Sequence, residues 1–148
     1  MTNELTISNP HRRTVRQLLD PRLIMLLVAA LALASLSGCR TAPIRDMNNQ
    51  PVPPGASAQQ VGKAILSAGN SLGWSMRQVR LGLIEGTLYI RDHVAKVEIP
   101  YSSRSYSIRY ASSTNLNYDA AKHTIHSNYN GWVQNLDNQI RARLASMK

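Results

Sequence analysis

Apolar positions along this chain fall into successive, distinct patterns. Leu23 to Leu36 is a continuous apolar run without a charge. Residues 40–55 show no apolar period and carry Pro43, Pro51, Pro53 and Pro54. Val61, Ala64, Ile65, Ala68 and Leu72 then recur at helical spacing. From Trp74 the period drops to two. Ile84, Gly86, Leu88 and Ile90 share one face, and Glu85, Thr87, Tyr89 and Arg91 share the other. Ala95, Val97, Ile99 and Tyr101 alternate with Lys96 and Glu98, and Tyr106, Ile108 and Tyr110 alternate with Ser105, Ser107 and Arg109. Ala111 to Thr124 is polar. Helical spacing returns with Ile125, Tyr129, Trp132, Val133, Leu136, Ile140 and Leu144.

Punctuation sharpens the elements. Ser57-Ala58-Gln59-Gln60 fits a capping box ahead of the first helix, and Gly73 suits its C-terminal cap. Gly62 and Gly69 weaken that helix, so packing must support it. A two-residue loop at Asp92-His93 pairs Ile90 with Ala95, Leu88 with Val97 and Tyr89 with Lys96. A loop at Ser103-Arg104 pairs Tyr101 with Tyr106 and Val97 with Tyr110. Both put apolar on apolar, which a one-residue slip would not. Pro100 predicts a bulge or a missing bond. The order helix, four strands, helix predicts an α+β fold. It is a two-layer sandwich, with a four-stranded antiparallel sheet and an N-terminal and a C-terminal helix on one face. The other face is open to solvent, as antiparallel sheets allow.

The apolar run changes the picture of the N-terminus. It spans 14 residues, short of the ~20 that cross a bilayer. Arg12, Arg13, Arg16 and Arg22 precede it, and Leu36-Ser37-Gly38-Cys39 closes it. That is the layout of a signal peptide. The four closing residues resemble the lipobox of bacterial lipoproteins. The resemblance implies that residues 1–38 are a lipoprotein signal peptide and that Cys39 becomes the lipidated N-terminus. Cys39 is the single cysteine, so it cannot form an internal disulfide. Arg40 follows it, where the enteric sorting pattern uses Asp for inner-membrane retention. The resemblance therefore implies an outer-membrane anchor facing the periplasm. Residues 39–56 read as a Pro-rich extended tether, and 57–148 as the α+β envelope domain. Gly73-Trp74, Tyr106-Ser107-Ile108-Arg109-Tyr110 and the stretch Tyr129 to Leu136 resemble small proteobacterial lipoproteins over roughly residues 57–146. That resemblance implies fold and location, and no activity.

Charge and candidate chemistry come next. The chain holds 17 basic and eight acidic residues, of which the first 38 residues take four and two, leaving +7 on the rest. A basic surface favours polyanions, and export past the membrane argues against nucleic acid as the partner. His123 and His126, with Asp119 nearby, would share a helical face, but no further ligand has suitable spacing, so no metal is expected. Asp92-His93 can orient a histidine for base catalysis, yet a hairpin loop explains the pair more simply. No nucleophile elbow or phosphate loop is present, so neither catalytic residues nor a cofactor are expected. The open sheet face would carry Arg77, Tyr89, Arg91, Lys96 and Arg109 as a candidate binding face. The expected function is a membrane-anchored, non-catalytic binding or structural module of the cell envelope, meeting an envelope protein or an anionic glycolipid. The alternatives are a small periplasmic hydrolase or metal-dependent enzyme using His93, His123 or His126, and an anionic glycolipid or peptidoglycan binder.

Overall fold

Residues 40–147 are described by the computed structural model. The signal peptide assigned to residues 1–38, and the lipidation assigned to Cys39, lie outside the described residues. The elements in order are β1 (Thr41–Pro43), β2 (Met47–Pro51), α1 (Ala58–Ser71), β3 (Trp74–Arg80), β4 (Leu83–Ile90), β5 (His93–Pro100), β6 (Ser105–Thr114), β7 (Thr124–His126) and α2 (Asn128–Ala145).

The capping box at the start of α1 forms as expected. Gln60 N–H donates to Ser57 Oγ at 3.3 Å, and Ser57 N–H donates to Gln60 Oε1 at 2.8 Å. The helix stops at Gly73, whose φ of +82° suits a residue without Cβ. Val61, Ala64, Ile65 and Ala68 are buried, but Leu72 is exposed because the chain has already begun to turn there. The two glycines are not merely weak points. A Cβ on Gly62 would sit 2.6 Å from Tyr101 Oη, and one on Gly69 would collide with the Met76 thioether. They let α1 lie close on the sheet, so their helix-propensity cost is offset by contact.

The fold is α+β with mostly antiparallel strands, but the sheet is not four-stranded. Five strands run in the order β2-β6-β5-β4-β3, and β1 and β7 form a separate antiparallel pair. The fifth strand and β1 both come from the stretch read as a free tether. Pairing, not an apolar period, holds them. Asp46 accepts the Tyr110 N–H at 3.0 Å, and Asn49 N–H donates to Ser107 Oγ at 3.0 Å. Pro51 is tolerated because β2 is an edge strand. Ile44 and Val52, flanking these strands, are buried in the core. Residues 40–52 are therefore part of the folded domain and not a stalk.

The β4–β5 hairpin turns one residue earlier than expected, at Arg91-Asp92. Ile90 pairs with His93, Tyr89 with Val94 and Leu88 with Ala95. Every partner shifts by two, so every side chain keeps its face. Arg91 takes the left-handed position, with φ of +56°. The second hairpin forms as read, with Tyr101 opposite Tyr106 and Val97 opposite Tyr110. Pro100 pairs with Leu83 on β4, and the register of β5 against β6 steps between Lys96 and Val97, leaving Ala111 as the extra residue between Tyr110 and Ser112.

Inward side chains close the core. Leu88, Val97, Ile99 and Ile108 are buried beneath the helices, as the alternation requires. Val133, Leu136, Ile140 and Leu144 of α2 join them. Trp132 is only partly buried. Asp137 takes a fully buried place on α2. It accepts the Tyr106 hydroxyl at 2.7 Å and is bound by the Arg141 guanidinium. Tyr129 packs edge-on against Tyr110, with ring centroids 5.6 Å apart.

Candidate binding face

Strand pairing arranges the outer sheet face in rows. One row runs Arg77, Glu85, Glu98, Arg109 across β3, β4, β5 and β6. The next runs Ser75, Thr87, Lys96, Ser112, and the third runs Tyr89, Val94, Thr114. Neighbouring strands lie ~4.8 Å apart, so side chains within a row touch or nearly touch. The first row thus reads plus, minus, minus, plus. Arg77 and Glu85 form an ion pair on exposed side chains, a contact worth less than ~1 kcal/mol.

Four of the five candidate residues, Arg77, Tyr89, Lys96 and Arg109, lie on this side of the sheet, but not in one cluster. Arg77 and Arg109 end the same row. Lys96, exposed, lies one row away beside Thr87, and not beside Tyr89 as the earlier register implied. Tyr89 is 66 % exposed, the most of any large apolar side chain among the described residues. Arg91 is not a strand residue. It sits in the β4–β5 turn at the end of the sheet.

The step in register opens a shallow depression of about 210 Å³ lined by Glu85, Thr87, Lys96, Glu98 and Ala111. A second of about 220 Å³ lies between Asn49, Ser102, Ser105, Ser107 and Arg109. Both fall below the ~300 Å³ at which pockets for small molecules begin. They suit single side chains of a partner better than a cofactor.

The histidines do other work. His93 Nδ1 lies 2.8 Å from the Asn115 carbonyl, which can only accept, so that nitrogen carries the hydrogen. His126 Nδ1 accepts the Asn128 N–H at 3.3 Å, so it lacks one. The two rings stack at 6.3 Å. His126 lies in β7 and His123 in the exposed turn before it, so they do not share a helix face. Asp119 turns its carboxylate onto the N–H groups of Ala121 and Lys122. The Lys122 N–H holds that carboxyl below the ordinary carboxylate range. Among the described residues no three His, Cys, Asp or Glu gather to hold a metal ion.

Asn130 has a role that the sequence concealed. On α2, it clamps the N-terminal segment. Its Nδ2 donates to the Pro43 carbonyl at 2.9 Å, and its Oδ1 accepts the Arg45 N–H at 3.0 Å. Only the separation of 85 or more residues hides this. Compared with family models, curated proteins and solved structures, the chain matches none.

Proposed function

We propose that this chain is a bacterial envelope lipoprotein whose domain is a non-catalytic binding or structural module. Residues 1–38 are removed, and Cys39 carries lipid in the outer membrane with the domain in the periplasm. The Leu36-Ser37-Gly38-Cys39 stretch supports the anchor, and Arg40 supports the outer membrane as its destination.

The observation that carries the binding role is the uncovered sheet face. Tyr89 stands 66 % exposed at one end of it. Lys96 and Arg109 lie on either side of the step that opens a depression between β4, β5 and β6. Tyr and Arg are the residue types that dominate the energetics of protein interfaces. The partner is an envelope protein whose side chains meet Tyr89, Lys96 and Arg109 on this face.

A photocrosslinking residue in place of Tyr89 should trap one defined envelope protein in living cells. Tyr89→Ala with Lys96→Glu should abolish crosslinking from a reporter at Ser112 while leaving the circular dichroism unchanged, because both side chains are exposed. Unchanged crosslinking would reduce the face to a solvated surface. Cys39→Ala should leave unprocessed precursor, and an intact N-terminus on the wild-type protein would defeat the anchor.

A further inference from the structure

The strands at the start of the domain remove the spacer that a lipid-anchored domain would need to swing freely. Arg40 is already bound, its carbonyl accepting the Ser127 N–H at 2.8 Å. Thr41, Ala42 and Pro43 pair with His126, Ile125 and Thr124. Ile44 N–H donates to the His123 carbonyl at 3.0 Å, and the Ile44 side chain is buried. Asn130 then grips Pro43 and Arg45. Cys39 precedes Arg40 by one peptide unit, a Cα step of ~3.8 Å.

The same end of the sheet carries the Arg91-Asp92 turn. The His126 ring stacks on His93, the residue after the Arg91-Asp92 turn. Asn115 holds the turn, its carbonyl meeting His93 Nδ1 and its Nδ2 donating to the Asp92 carbonyl at 2.8 Å, and the neighbouring Leu116 carbonyl accepts the His126 N–H at 2.8 Å. Arg40 and Arg91 are both exposed here. Asp92 is the acidic neighbour, and its carboxylate lies 3.6 Å from His93 Nε2.

We propose that this end, formed by Arg40, the Arg91-Asp92 turn, His93 and His126, is the surface that rests on the bilayer and meets anionic phospholipid headgroups. The proposal rests on the reading of Cys39 as the lipidated residue. With β1 docked, the lipid fixes orientation as well as location. Each basic residue close to an anionic surface adds about fivefold in affinity, and that attraction fades within a Debye length of ~8 Å. The Ser103-Arg104 loop lies at the other end of β5, whose eight residues span roughly 27 Å. Only one end of the domain feels the surface. Arg91 therefore belongs to the membrane, and the partner face above it is left to Lys96, Arg109 and Tyr89.

The test uses full-length lipidated protein in vesicles of phosphatidylethanolamine and phosphatidylglycerol bearing a headgroup-linked quencher. Lipidation caps the single native cysteine, so a fluorophore can be placed through Asn128→Cys or Ser103→Cys. The label at 128 should be quenched several-fold more than that at 103. Arg91→Glu should shrink the difference, and a flexible ten-residue Gly-Ser insert between Cys39 and Arg40 should abolish it. Equal quenching at both sites, in protein whose mass includes lipid, overturns the proposal and leaves lipidation standing. Absence of lipid mass on Cys39 overturns both, and the mass spectrum alone reveals it.

Discussion

The two faces of the five-stranded sheet obey the same alternation, yet they are held by very different energies. On the inner face, Val97, Ile99 and Ile108 are almost wholly buried. Each such side chain contributes ~1.5–3 kcal/mol by leaving water. On the outer face, Arg77 and Glu85 pair in solvent, and Tyr89 stands mostly in solvent. Contacts of that kind contribute well under ~1 kcal/mol each. The inner face thus decides which way each strand faces. The outer face is free to be shaped by recognition, because little of the fold depends on it.

If that contrast is right, the largest effects come from the buried side. Leu136 is fully buried on α2, and Leu136→Ala should cost ~3 kcal/mol in urea unfolding. A loss below ~1 kcal/mol would mean that the helix packs less tightly than its burial implies. Tyr106→Phe comes next. It removes the hydroxyl that Asp137 accepts at 2.7 Å, leaving the buried carboxylate to Arg141 alone, at a cost of ~1–2 kcal/mol. The same residue sets the alkaline limit. Burial, and then the bond to Asp137, raises the Tyr106 hydroxyl above its ordinary value of 10.0, and burial raises Tyr129 likewise. The folded state keeps protons that the unfolded state releases. Stability is therefore complete below pH 10 and falls as pH rises above it. Tyr106→Phe should flatten that fall, measured as the slope of unfolding free energy against pH. An unchanged slope would exclude Tyr106 as its source.

Much of this was legible in the sequence, and the boundary follows the same energetic line. Where burial is strong, a pattern of types suffices. Val61, Ala64, Ile65 and Ala68, and Leu88, Val97, Ile99 and Ile108, all lie inward as their spacing demands. The β4–β5 partners were two residues off because alternation specifies a face and is blind to shifts of two. The turn decides the rest, and Arg91 at φ of +56° is not a residue that announces a left-handed turn. β1, β2 and β7 were missed for a related reason. They are short and polar, and their stability comes from partners far away in the chain, such as Asn130 for Pro43 and Asp46 for Tyr110. Local composition therefore read β1 and β2 as tether, and Ile125 of β7 as the first turn of the last helix. Arg77, Tyr89, Lys96 and Arg109 lie on the outer side as their alternation demands, but their grouping was not readable, since rows depend on register, and Arg91 falls in a turn.

The smallest predicted effect tests the outer face most directly. Glu98 faces two neighbours of opposite sign, Glu85 on β4 and Arg109 on β6. Repulsion by the first and attraction by the second oppose each other, so Glu98→Gln should change stability by less than ~0.5 kcal/mol. Arg77 matters to this balance because it already binds Glu85. With Arg77→Ala, Glu85 loses its cation and its repulsion of Glu98 is felt more fully. In that background Glu98→Gln should become stabilising, by ~0.5 kcal/mol, which a double-mutant cycle isolates. The coupling should vanish near ~1 M salt, where charges a few ångströms apart in solvent are screened. A coupling above ~1 kcal/mol that survives such salt is more than exposed pairs contribute. It would show that the outer row helps to hold the strands in register, and the division of labour between the two faces would fail.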